Sequence, residues 1–124
     1  MTTSRKIAAV AVKALDEKLG QSIKVLDVGE ISSLADYFVI CTGTTNTHIK
    51  SLCDAVDVKI GELGEPMIHR EGHRSGTWVL MDFGCVVVHV FTDETRKFYD
   101  LERLWNDSTP IDLEALLAEA DEKN

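Results

Sequence analysis

Between Thr77 and Phe91 the chain reads TWVLMDFGCVVVHVF, two β-prone runs joined around one glycine. Few patterns restrict a fold more tightly, because strand side chains alternate between the two faces of a sheet. A hairpin here puts Val79, Met81, Val86, Val88 and Val90 on one face, entirely apolar, and that is a core face. The opposite face carries Trp78, Leu80, Asp82, Cys85, Val87, His89 and Phe91, a mixture of aromatic, aliphatic and polar groups. With the turn set on Phe83-Gly84, Asp82 is expected to face Cys85, Leu80 to face Val87 and Trp78 to face His89. The mixed face has two readings. It is a second core face beneath a helix, or a partly open docking patch.

The elements around the hairpin alternate between helix and strand. Ile7, Ala11, Ala14 and Leu15 form one face of a first helix, with Gly20 placed as its C-cap. Ser22–Val28 is a short strand. Tyr37-Phe38-Val39-Ile40-Cys41 is apolar on both faces, as a central strand covered on both sides would be. Ile49, Leu52, Cys53, Val56, Ile60 and Leu63 mark the cleanest helix, with Asn46 as N-cap and Gly61, Gly64 and Pro66 ending it. Met67–Arg70 reads as a short strand and Glu71–Gly76 as a polar loop. After the hairpin, Asp93 is expected to cap a helix whose stripe is Phe98, Leu101, Leu104 and Trp105, with Phe98 and Leu101 packed on the sheet. Leu113, Leu116 and Leu117 mark a last short helix in an acidic, loosely held end. The order predicts an α/β fold, a single domain with a mixed β-sheet flanked by helices. Residues 1–107 form the domain and residues 108–124 an acidic C-terminal helix or tail.

A chain of 124 residues, 44% of them hydrophobic, suits one core. Its formal charge of −8 makes it a poor ligand for naked RNA or DNA, whose phosphates attract Lys and Arg. Such a chain is better suited to a basic protein surface, and the plainer reading is that the charge serves solubility. Cys41, Cys53 and Cys85 are odd in number and lie in apolar runs, so they read as buried thiols of a cytoplasmic protein. The N-terminus carries no signal-peptide pattern, and no apolar run approaches the ~20 residues of a membrane span.

Catalytic signals are weak. Thr42-Gly43-Thr44-Thr45-Asn46 is a strand-to-helix turn that presents amide N–H groups to an anion, yet it lacks the lysine and second glycine of a phosphate-binding loop. A turn with an N-cap is the better reading. His69 and His73 have a zinc-helix spacing, but Gly72 lies between them and no further ligand completes a set. Asp82-Phe83-Gly84 copies a kinase tripeptide without any other kinase element. No Asp-x-Asp clamp lies on a strand. No catalytic residue, metal or cofactor is assigned.

Several stretches together resemble the ribosomal silencing factor family, RsfS, also called Iojap-like. They include Leu26-Asp27-Val28, Ala35-Asp36-Tyr37-Phe38-Val39-Ile40-Cys41-Thr42-Gly43, His48-Ile49-Lys50 and Trp78-Val79-Leu80-Met81-Asp82. Val86-Val87-Val88-His89-Val90-Phe91, Arg96, Phe98-Tyr99-Asp100-Leu101-Glu102 and Leu104-Trp105 complete the set, in the family's order. Two positions depart from the family pattern. Cys85 follows the hairpin glycine where an Asp is usual, and Thr45 stands where Ser is common. The resemblance implies a nucleotidyltransferase-like fold without that superfamily's catalytic motif, and a binding protein rather than an enzyme. It implies binding to the large ribosomal subunit through its fourteenth ribosomal protein, which blocks joining of the small subunit and represses translation when nutrients are short. It also implies a homodimer. The rival is a nucleotidyltransferase-fold enzyme or small-anion-binding protein that uses the Thr42–Asn46 turn. Trp78, Leu80, Asp82 and His89 on the hairpin, with Tyr99 and Glu102 from the following helix, are the expected partner-binding residues: aromatic anchors with acidic groups beside them.

Overall fold

Thr3 opens the first helix, its Oγ1 accepting the Lys6 N–H at 3.1 Å. In this computed structural model, residues 3–33, 35–72, 77–99, 103 and 108–121 are described, Tyr99 by its backbone alone. Helix α1 (Ser4–Glu17) buries Ile7, Ala8, Ala9, Val10, Ala11, Val12, Ala14 and Leu15. It is therefore covered on nearly all sides, by the sheet, by α2 and by the last helix. Its many alanines let those neighbours approach closely. The expected cap at Gly20 is corrected. Leu19 takes the left-handed conformation (φ 63°), and Gly20 is needed for space, since a Cβ there would lie 2.5 Å from Cys41 Sγ.

Strands β1 (Gln21–Asp27) and β2 (Tyr37–Thr42) follow, then α2 (Asn46–Gly61), β3 (His69–Glu71), β4 (Trp78–Asp82), β5 (Val86–Phe91), α3 (Asp93–Tyr99), β6 (Thr109–Pro110) and α4 (Leu113–Ala120). The fold is a single α/β domain whose six-stranded sheet has the order β3-β4-β5-β2-β1-β6. Among the described residues only the central β2–β5 pair is parallel, so the sheet is mixed as the element order requires. The apolar hairpin face joins Val25, Val39 and Cys41 beneath α1 and α2. The opposite face of the same strands gathers a second cluster: Leu26, Val28, Ala35, Ile40 and Phe91, with Phe38, Trp78 and Val87 against it.

The hairpin turns one residue later than expected. Phe83 N–H donates to the Val86 carbonyl at 2.9 Å, so the turn residues are Gly84 and Cys85. Asp82 faces Val87, Leu80 faces His89 and Trp78 faces Phe91. A turn on Phe83-Gly84 would ask bulky Phe83 for a left-handed backbone, whereas Gly84 takes φ +88° freely and Phe83 is buried. The shift moves each facing pair by two residues, so both faces keep their members.

The helix caps also differ by one residue. Thr45, not Asn46, caps α2, and Thr92 Oγ1, not Asp93, accepts from the Thr95 N–H at the start of α3. Thr45 is extended (φ −142°, ψ 166°), as a cap residue needs to be. The acidic end is not loose. Leu116 is fully buried, Ile111 N–H extends the β1 edge at Val25, and Pro110 sits at that edge, where a missing N–H costs nothing. Arg5 grips Glu119 through two hydrogen bonds, Lys6 caps the α4 carbonyls of Glu119 and Ala120, and Lys13 pairs with Asp121.

Candidate protein-docking site

The mixed face is partly a core and partly a surface. Its inner members, Phe91 (0% exposed), His89 (4%) and Ile40 (0%), lie on the central strands β5 and β2, where neighbours shield them from both sides. Trp78, Leu80, Asp82, Phe38 and Val87 around them are half-buried. Trp78 stands diagonal to His89 across the β4–β5 pair, and its indole N–H donates to His89 Nδ1 at 3.3 Å. The Trp78 ring centroid is 5.9 Å from that of Phe91 and 6.1 Å from that of His89, and Phe38 meets His89 edge-on at 5.2 Å. Desolvation pushes the His89 imidazole down to about 4, so it is neutral at neutral pH. Asp82 turns one carboxylate oxygen to the Gly84 N–H at 2.7 Å and so fixes the hairpin turn.

Of the six expected partner-binding residues, the structure brings Trp78, Leu80, Asp82 and His89 onto one face, with His89 beneath it rather than on it. Tyr99 ends α3, its side chain outside the described residues, and Glu102 lies outside them entirely, as do Leu101, Leu104 and Trp105. Phe98 is corrected: it is 81% exposed, not packed on the sheet. Residues two apart on a helix point nearly opposite ways, and Arg96 takes the buried side. Its Nη1 donates to the Ser22 carbonyl at 2.7 Å and to Thr42 Oγ1 at 2.9 Å, and its guanidinium lies 5.9 Å from the Phe91 ring centroid. Ser22 is available because β1 bulges there, Ser22 and Ile23 standing against Cys41 alone.

Sequence reasoning singled out neither Arg96 nor Phe38 for the site. The alternation in Tyr37–Thr42 could have found Phe38, which shares a strand face with Ile40. Nothing local marks the two hydrogen bonds of Arg96 to Thr42 and Ser22, which reach 54 and 74 residues back along the chain.

The Thr42–Asn46 turn is already occupied by the protein's own groups. Gly43 N–H donates to the Phe91 carbonyl, Thr44 N–H to His48 Nδ1, and His48 N–H to Thr45 Oγ1. His48 Nε2 in turn donates to the Lys18 carbonyl at 2.8 Å, tying the α1 exit to the α2 entrance. Two of the turn's amides, those of Gly43 and Thr44, are thus already paired within the protein, which counts against an anion site there. Cys41 and Cys53 are buried, and desolvation raises both thiols to about 12. Cys85 is half-buried, and burial raises its thiol as well. His69 pairs with Glu71 at 2.6 Å, while His73 lies outside the described residues. Among the described residues, no three His, Cys, Asp or Glu side chains are gathered to hold a metal, and no helix is long and apolar enough to cross a membrane.

The whole chain, residues 1–124, matches the family model described as "Ribosomal silencing factor during starvation". A "Ribosomal silencing factor RsfS" of Chromobacterium violaceum is 40% identical over 106 residues, covering 86% of this chain and 87% of that one. A mouse protein named "Mitochondrial assembly of ribosomal large subunit protein 1" is 32% identical over 97 residues, 76% of this chain and 42% of its own length. A crystal structure of a Chromobacterium violaceum protein superposes with a TM-score of 0.83 at 39% identity, covering 85% of this chain and 88% of that one.

Proposed function

The chain belongs to the RsfS family of ribosomal silencing factors, and on that premise we propose that it silences ribosomes by docking on the large subunit and keeping the small subunit off. The partner is the fourteenth protein of the large subunit, on the face that meets the small subunit, and the outcome is lowered translation under nutrient limitation. The protein acts in the cytoplasm as a binding protein, with no reaction of its own. One observation carries the reading: a half-buried Trp78, with Leu80 and Asp82 beside it, on a chain of formal charge −8. A large aromatic ring with few rotors anchors an interface, and a negative chain is drawn to a basic ribosomal protein. A domain of this size seated on the joining face excludes the small subunit by volume alone.

Tyr99 and Glu102 extend the docking surface beyond the hairpin, and reversal of the Glu102 charge should weaken binding in a salt-dependent way. Every residue assigned to the docking surface lies within residues 1–107. Self-association into a homodimer is part of the same reading, and light scattering tests it: a monomer at every concentration removes that element and leaves the docking untouched. The direct experiment is binding of purified protein to isolated subunits by co-sedimentation. Protein that travels with the small subunit, or with neither, overturns the proposal.

A further inference from the structure

The mixed face holds one polar group that nothing so far described uses. His89 Nδ1 accepts the indole N–H of Trp78. An indole nitrogen can only donate, so Nδ1 is the lone-pair nitrogen and the neutral ring carries its proton on Nε2. That N–H is buried and has no hydrogen-bond partner among the described residues. His89 itself is 4% exposed. A trapped water is a poor answer, since a buried water needs about two to four polar partners. The flanking groups here are apolar: Leu80 and Ile40 stand opposite His89 on either side, and the rings of Trp78 and Phe38 lie against it. A buried donor without an acceptor is costly, and native chains seldom keep one that has no use.

We propose that His89 is a latent hydrogen-bond donor for the docked partner: the half-buried rings of Trp78 and Phe38 part on binding, and a main-chain carbonyl of the partner protein accepts from Nε2. The inference rests on the docking reading above and adds to it the chemistry of the partner's contact. A carboxylate is disfavoured as acceptor, because it would bring negative charge beside Asp82 on the same face of a chain that already carries −8. A main-chain carbonyl has the acceptor without the charge, and a basic protein supplies it as readily as any other.

Two amide substitutions separate the two ring nitrogens. His89→Asn sets an oxygen where Nδ1 stands and keeps the acceptor for Trp78, but offers no donor at Nε2. His89→Gln sets its amide nitrogen near Nε2 and keeps the donor. His89→Leu removes both. Each variant is tested for binding to isolated large subunits and for its melting temperature. The expected result is binding within about threefold of the parent for His89→Gln and a loss of about tenfold for His89→Asn and His89→Leu, with His89→Leu melting no lower than the parent. If His89→Asn binds like the parent, the imidazole only positions Trp78 and the proposal fails. Equal loss by Gln and Asn, or parental binding by all three, also overturns it, as does a His89→Leu protein that melts far below the parent. Trp78→Ala in the same assay tells the two readings apart. Loss of binding there with all His89 variants intact leaves docking standing without the donor, whereas parental binding by Trp78→Ala removes the docking reading itself.

Discussion

Replacing Trp78 with alanine should separate a docking anchor from a core residue, and the structure sets the size of both effects. A fully buried Trp→Ala change costs roughly 3–5 kcal/mol. Trp78 is only half-buried, its ring packs on Phe91 and His89, and its indole N–H donates to a neutral acceptor at 3.3 Å. The expected loss of stability is therefore about 2–3 kcal/mol, the hydrogen bond contributing roughly 1 kcal/mol of it. For a domain of 124 residues that is a drop of about 10 °C in melting temperature, which leaves a chain of ordinary stability folded. Binding to the large subunit should fall by about 2 kcal/mol, close to thirtyfold, if the ring is an anchor. Thermal melting and subunit co-sedimentation on the same preparation measure both. A variant without a cooperative transition would show that Trp78 is core and refute the docking assignment. A stable variant that binds like the parent would refute it from the other side.

Three further outcomes follow from the same geometry. Cys85 should react with a thiol reagent faster than Cys41 and Cys53, whose thiols are buried and raised to about 12, and equal rapid labelling of all three would contradict the sheet and α2 packing. Arg96→Met should cost roughly 2–4 kcal/mol in a urea melt, because it strands the Ser22 carbonyl and Thr42 Oγ1 near the β1 bulge; a loss below about 1 kcal/mol would show the guanidinium to be incidental. His89 is held down to about 4 when folded and returns to its ordinary value of 6.5 when unfolded, so between those values the unfolded chain binds the extra proton. Stability from this group should fall as pH drops through that window, by at most about 1.4 kcal/mol per pH unit, and melts of His89→Leu at pH 7 and pH 5 should show a flatter slope than the parent.

Much of the fold was legible because it rests on periodicity. Alternation named both hairpin faces, and the double-sided apolar run Tyr37–Cys41 pointed to the centre of the sheet, where the strand Tyr37–Thr42 lies. Features that hinge on one residue's backbone were misread by a single step. Asn46 and Asp93 have good capping chemistry, but the threonine ahead of each, Thr45 and Thr92, already supplies the oxygen. The turn moved because Gly84 is its first residue rather than its second. Contacts distant in sequence were not legible at all. The grip of Arg5 on Glu119 spans 114 residues and turns an apparently loose acidic end into a packed helix. Arg96, reaching Ser22 and Thr42, rotates α3 so that Phe98 points outward. In the candidate site the members of the face could be read, but not their depth: nothing in the string VVVHVF tells that His89 lies under Trp78 and Phe38 rather than beside them.

The account stands or falls on subunit joining. Purified large and small subunits are mixed under conditions that favour whole ribosomes, with increasing amounts of the protein, and resolved by sedimentation. The account predicts that the whole-ribosome peak shrinks as protein is added, that free small subunits appear, and that the protein migrates with the large subunit in about one-to-one ratio at saturation. A whole-ribosome peak unchanged at saturating protein, or protein bound to intact ribosomes without displacing the small subunit, would contradict it.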